Sequence, residues 1–273
     1  MNKRIKYTVS ALAMLAVCIG TVTGCSGKLT PKKMMSAVTE NLAEVKSVSN
    51  SLEMDIELED VLDLTKISMD MEMENTTKPK AGHAKGSAEV NFSGTQVASD
   101  MEIYQVTEGD EFVTYSSMYG QWSREAAAGS QKSTFNGNLF QEAGDSIESF
   151  HIAKETIQVE EKECYEMYGD ISGEELLKFM GLDMMRAFGL VELPEEDAIS
   201  GLSVPITIDI YKEEMLPARI IVDMTDVMND LYDKYNKSTN VNDFTIKLSY
   251  TGFNQVEKIE VPQEVQQVCS QAG

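Results

Sequence analysis

Val22-Thr23-Gly24-Cys25 is the stretch whose residue types and spacing most directly imply a reaction. An aliphatic side chain three positions before a cysteine, with two small residues between, is the pattern of a lipobox. The Cys25 thiol takes a diacylglycerol through a thioether, and the small residues let a peptidase reach the bond before it. What precedes it fits. Lys3, Arg4 and Lys6 form a short basic start, and a broken apolar run follows from Tyr7 to Val22, as in a secretory leader. Thr8, Ser10 and Gly20 interrupt that run, so it makes a poor permanent span. The spacing therefore predicts a leader over 1–24, lipidation at Cys25, a short linker over 25–29 and one domain over 30–273. Two acyl chains on one residue suffice for stable anchoring. The expected location is the outer face of the cytoplasmic membrane, with the bilayer as a partner through the anchor.

The other chemically able side chains are few or scattered. Cys18 falls in the leader, which leaves Cys164 and Cys269. In an oxidising compartment these form either a bridge or two buried thiols behaving as small hydrophobes. The two histidines, His83 and His151, stand apart in a polar loop and at a strand start. No Gly-x-Ser-x-Gly, His-Glu-x-x-His, Walker loop or Gly-x-Gly-x-x-Gly occurs. The expectation is binding rather than catalysis, with no metal site and no cofactor. Net charge is −22, and more negative still once the basic leader is gone. Such a surface repels nucleic acid and anionic headgroups, so the tether, not charge, holds the domain at a membrane.

The elements are read from periodicity. Thr30-Pro31 reads as an N-cap and first helical residue. Met35, Val38, Leu42 and Val45 then recur at helical spacing, which predicts a helix over 31–48. The period then becomes two. Leu52, Met54, Ile56 and Leu58 alternate with acids, and so do Ile67, Met69, Met71 and Met73. These read as two long strands with one dry and one wet face. Residues 75–82 read as a loop. Weaker alternation follows through Ala84, Ala88, Val90 and Phe92, then strands near 97–106 and 111–117 about a hairpin turn. Tyr119 and Trp122 fall at the next turn, placed for strand-end packing or for a cavity rim. Strands are expected at 151–160, 164–170, 204–210, 220–224, 244–250 and 256–261. Helices are expected from Ser172, with Leu176, Met180, Met184 and Phe188 as apolar stripe, and over 226–236. The sum is about ten antiparallel strands with helices set between strand runs, an α+β chain in which one large curved sheet carries its helices on the concave side.

The order of these features resembles the LolA/LolB and LppX–LprG superfamily, and more closely LolA-like lipoproteins of Gram-positive bacteria. A lipobox leads into an amphipathic helix and long alternating strands. A hairpin enters Tyr115-Ser116-Ser117-Met118-Tyr119-Gly120-Gln121-Trp122, and the chain closes on Ile259-Glu260-Val261-Pro262-Gln263-Glu264-Val265 with a helical tail. The resemblance implies an incomplete barrel wrapped around helices, with an apolar cavity that holds or carries acyl chains. LolA itself is not tethered, whereas Cys25 tethers this chain.

Under that reading the candidate cavity residues on the two strands are Leu52, Met54, Ile56 and Leu58 with Ile67, Met69, Met71 and Met73. Met180, Met184 and Phe188 face them from a helix. Methionine is flexible and polarisable and suits varied apolar partners, so the ligand expected is a lipid or another hydrophobic small molecule. The same residues read equally well as ordinary core. The wet face offers a second reading, a structural lipoprotein. Glu53, Asp55, Glu57 and Glu59 beside Asp70, Glu72 and Glu74 would meet an envelope protein, although like charges on neighbouring strands disfavour pairing.

Overall fold

A computed structural model describes residues 29–60, 63–128, 146–180, 201–235 and 238–271. Helix α1 (Pro31–Ala43) begins where its cap signals put it. Thr30 is extended, its hydroxyl accepts from Lys33 N at 3.4 Å, and Pro31 takes the first helical position. The helix stops five residues short of the expected Val48, because β1 (Ser47–Glu59) claims the chain. Ser47 is buried, its carbonyl accepts from Asn254 N at 2.8 Å and its hydroxyl from Val256 N at 3.1 Å. Strand pairing satisfies more backbone there than another helical turn would.

Strands β2 (Leu64–Thr77), β3 (Lys80–Phe92), β4 (Thr95–Glu108), β5 (Glu111–Met118) and β6 (Gln121–Ala128) form a meander with short turns. The stretch 75–82 is therefore not a loop. Both strands run into the two-residue turn at Lys78-Pro79. The expected strand 151–160 is two fragments, β7 (His151–Ile152) and β8 (Ile157–Val159), both lying along β9 (Lys162–Ser172). A capping box opens α2 (Gly173–Met180): Ser172 N donates to Glu175 Oε2 at 2.8 Å, and Glu175 N donates back to Ser172 Oγ at 3.2 Å. Strands β10 (Ser203–Tyr211) and β11 (Pro217–Asp223), helix α3 (Thr225–Lys234), strand β12 (Asn240–Phe253) and helix α4 (Gln263–Gln271) complete the described elements.

The twelve described strands join one antiparallel sheet in the order β6-β5-β4-β3-β2-β1-β12-β11-β10-β9-β7, with β8 also on β9. β6 and β7 end that order unpaired with each other, so the sheet is open, not a closed barrel. The large antiparallel sheet expected from the alternation is present. Its inner face carries α1, α2 and α3, and one core joins them. Met34, Met35 and Val38 of α1, Leu176 of α2, and Val227, Met228 and Leu231 of α3 meet inward residues of β1–β4 and β9–β12.

The chain's last segment corrects the expectation that every helix lies on that side. Residues 256–261 form no strand. They and α4 cross the outer face instead, where Ile259, Val261 and Val265 cover Ala81, Tyr104, Val113 and Tyr115. Trp122 packs there too, 6.1 Å from the Tyr104 ring, and so belongs to an outer-face cluster.

Candidate functional site

Residues of small volume shape the inner face where β3 crosses it. Ala84, Gly86 and Ala88 point inward in turn between the larger rows of β2 and β4. Gly86 stands between Met71 and Met101, and a Cβ there would lie 1.8 Å from the Asp70 carbonyl oxygen. Beyond Ala88 the face opens into a cleft of about 240 Å³ lined by Ala88, Val90, Val97, Ser99, Met101, Met118 and Tyr119. Its floor is buried at Ala88 and Met101, and its mouth is exposed at Val97 (52%) and Tyr119 (67%). Ser99 is its polar point; the hydroxyl accepts from Tyr119 N at 3.1 Å and fixes the β5–β6 turn over the cleft.

Among the described residues no helix lies over the cleft. The described contacts of α2 and α3 concentrate on β9, β10 and β12. Toward the free end of β4 the inner face meets solvent directly. A volume of this size lies below the ~300–1,000 Å³ of pockets that enclose a drug-sized ligand. It suits one part of an apolar molecule, such as a chain segment or a ring.

The sequence-derived cavity residues of β1 and β2 occupy the same face but do not line this cleft. Leu52, Ile56, Ile67, Met69, Met71 and Met73 are buried in the packed core, and Met54 and Leu58 pack against it half-buried. Met180 ends α2; Met184 and Phe188 lie outside the described residues. The strand rows and the cleft meet where Met71 and Met101 flank Gly86. Sequence reasoning missed Val97, Ser99 and Met101, although alternating small residues on β3 beside a methionine-rich strand were a usable signal.

Cys164 and Cys269 are free thiols in separate clusters, which corrects the bridging alternative. Cys164 packs against Val159, Tyr211 and Ala218, and burial, followed by the nearby Asp209 carboxylate, pushes its thiol up to about 11. It is a structural, unreactive sulfur.

The wet face of β1 and β2 is better balanced than its composition suggests. Register places Glu53 against Lys247, with Nζ 2.9 Å from the carboxylate, and Glu57 against Lys66 at 2.5 Å. Asp55 keeps a raised pKa, from partial burial first and then from Asp243, Asp70 and Glu53. Farther along, His83 stacks on Tyr104 with ring centroids 4.3 Å apart, and its Nε2 lies 3.0 Å from Glu102 Oε1. Tyr104 OH donates to the same oxygen at 2.8 Å. Burial pulls the Glu102 carboxyl up, but the contacts with His83 and Tyr104 outweigh it and hold it low. The tyrosine is held protonated, by burial and by that carboxylate. This cluster supports the outer-face packing of α4. Among the described residues no three His, Cys, Asp or Glu side chains converge as metal ligands, and no helix is long and apolar enough to cross a membrane.

Solved structures of similar architecture share little sequence. LprF from Mycobacterium bovis is 13% identical, with a TM-score of 0.46 over 85% of this chain and 96% of that one. A DUF1329 family protein from Desulfovibrio piger is 10% identical, with a TM-score of 0.23 over 84% and 96%. A beta-barrel-like protein of the DUF1849 domain from Brucella abortus is 11% identical, with a TM-score of 0.28 over 78% and 100%. No curated protein matches in sequence. Residues 30–269 match the model of a family of unknown function, DUF6612, and the chain belongs to that family.

Proposed function

We propose that this protein is a lipoprotein of LolA/LppX–LprG type, tethered through Cys25 to the outer face of the cytoplasmic membrane, which binds part of a hydrophobic ligand on the inner face of its sheet. The observation that carries the binding reading is the cleft over β3–β5. Its floor is apolar and buried, its mouth is open, and a single polar side chain, Ser99, stands inside it. A pocket with mostly apolar lining and few polar groups is the usual form of a small-molecule site. The tether rests on the spacing around Cys25. Binding rather than catalysis is the favoured reading, and the residues lining the cleft include no acidic or basic side chain.

Native mass spectrometry of the purified protein, with an environment-sensitive fatty-acid probe, tests this. The wild type is expected to carry exchangeable apolar ligand. Ser99→Phe, which fills the cleft from a half-buried position, is expected to weaken probe binding at least ~10-fold, the equivalent of about 1.4 kcal/mol. Its unfolding midpoint should stay near that of the wild type. Probe binding equal in both proteins, or an interior that never takes up ligand, would overturn the reading.

A further inference from the structure

The sheet has two ends, and among the described residues Leu64, Phe92, Val97, Met118 and Tyr119 gather exposed at one of them, while Tyr168 on β9 stands apart at mid-sheet. The end of β1 at Glu59 with the start of β2 at Leu64, the β3–β4 turn (93–94) and the β5–β6 turn (119–120) share this end. Register shows how far each reaches. Thr65 pairs with Phe92, and Ser93 N donates to the Leu64 carbonyl at 3.2 Å, so the start of β2 lies beside the β3–β4 turn. β5 stops opposite Met101, whereas β4 begins six residues earlier at Thr95. The β3–β4 hairpin therefore projects past its neighbour, and every residue from Ser93 to Ala98 is exposed. Phe92 and Val97 sit on it 52% exposed, with Tyr119 beside them at the mouth of the cleft. Exposed apolar patches of this kind mark an interaction surface.

Helix α1 leads back to the same end. Near its C-terminus Asn41 Nδ2 donates to the carbonyls of Glu214 (2.9 Å) and Met215 (3.3 Å), in the β10–β11 turn at the opposite end of the sheet. Its 13 residues span about 20 Å, against about 43 Å for the 13 of β1. The helix also touches the 3-10 turn Ser146–Ser149, which lies against β9 where Phe150 covers Gly169, on the way toward the projecting turns. The remaining distance is about 23 Å, and six residues, as from Cys25 to Thr30, can reach about 20 Å when extended, which brings the anchor to within a few ångströms of that end.

We infer that the projecting β3–β4 hairpin and Tyr119 form a membrane-facing rim, which dips Phe92 and Val97 into the surface of a zwitterionic bilayer and turns the cleft mouth toward it. Phenylalanine, valine and tyrosine suit the headgroup boundary, where an apolar body is buried and a hydroxyl stays wet. The neighbouring turn carries Glu59, Asp60 and Asp63, and the chain is strongly acidic, so anionic headgroups are repelled and neutral ones are not. The inference rests on the tethered reading of Cys25, which supplies the local concentration that so small a rim needs.

The test uses the full chain in phosphatidylcholine vesicles with brominated acyl chains. In a Trp122→Phe background a reporter is placed by Phe92→Trp at the rim or by Asp110→Trp at the opposite turn. The rim reporter is expected to be quenched several-fold more strongly, and adding phosphatidylglycerol should weaken that quenching. In the wild-type protein, hydrogen exchange over 92–98 should slow on vesicles, with residues 109–110 unchanged; this arm needs no variant. Equal quenching at the two positions with unchanged exchange overturns the rim. Intact mass reads the anchor separately. An unmodified Cys25 with a quenched rim reporter refutes the tether and leaves the rim standing, whereas a diacylated Cys25 with an unquenched reporter refutes the rim alone.

Discussion

Replacing Arg219 by methionine is expected to cost about 3–5 kcal/mol of folding stability at neutral pH, the loss typical when one partner of a buried ion pair is removed. Asp209 is completely buried on β10, and Arg219 Nε on the adjacent β11 donates to its Oδ2 at 2.7 Å. Its Oδ1 has no hydrogen-bond partner among the described residues. The guanidinium is thus the main compensation for a charge held out of water. Burial is the largest influence on the Asp209 carboxyl and raises its pKa even with Arg219 in place.

The sign of the pH dependence follows. A carboxyl whose folded pKa lies above its unfolded value binds protons better in the native state, so stability falls as pH rises from the unfolded pKa through the folded one. In Arg219→Met the carboxyl rises further. The deficit is therefore expected to be greatest near pH 7 and to shrink on acidification as Asp209 becomes neutral. Urea unfolding at pH 7 and near pH 4 reads this directly. Asp209→Asn combined with Arg219→Met should recover much of the loss, because no charge is then stranded. A deficit equal at both pH values would show that the arginine acts by packing alone.

Gly86→Ala is expected to destabilise the protein by about 3 kcal/mol, the upper part of the usual range for an extra methyl in a packed interior. The added Cβ would meet the Asp70 carbonyl oxygen at 1.8 Å and the Met71 Cα at 2.8 Å, and both are backbone atoms that cannot swing aside. Relief requires β2 and β3 to move apart in the middle of the sheet, which weakens the ladder around Met71 and Gly86. A domain of this size should lose about 6–12 °C in Tm. Because Met101 lies opposite Gly86 and lines the cleft, ligand binding should weaken together with stability. Calorimetry and the fatty-acid probe on the same variant check the pair of effects. An unchanged Tm would show that the close strand approach at Gly86 does not constrain the sheet.

Much of the fold is legible before any coordinates. Thr30-Pro31 starts a helix because capping chemistry is local. The rows Leu52–Leu58 and Ile67–Met73 face inward because a two-residue period admits one dry face. The errors fall where local signals compete with distant pairing. Val45 continues a helical stripe, yet Ser47 is already bound to the far end of the chain. Val256, Ile259 and Val261 look like a strand because they are apolar and closely spaced. Their apolar character serves the outer face instead, against Tyr104 and Tyr115. Glu53 and Glu57 look like a repulsive row because a sequence does not show that Lys247 and Lys66 stand across from them.

By itself the sequence determined the Val22-Thr23-Gly24-Cys25 spacing, the start of α1, the alternation of the first two strands and the acidic balance, since each depends on neighbours a few residues apart. Only the tertiary structure decided that Met69, Met71 and Met73 are buried among apolar side chains of other strands and that the open cleft lies beyond Gly86. Periodicity assigns a residue to a face of the sheet. Whether that face is filled or left open depends on where the helices and the other strands come to rest, and those contacts join residues far apart in the chain.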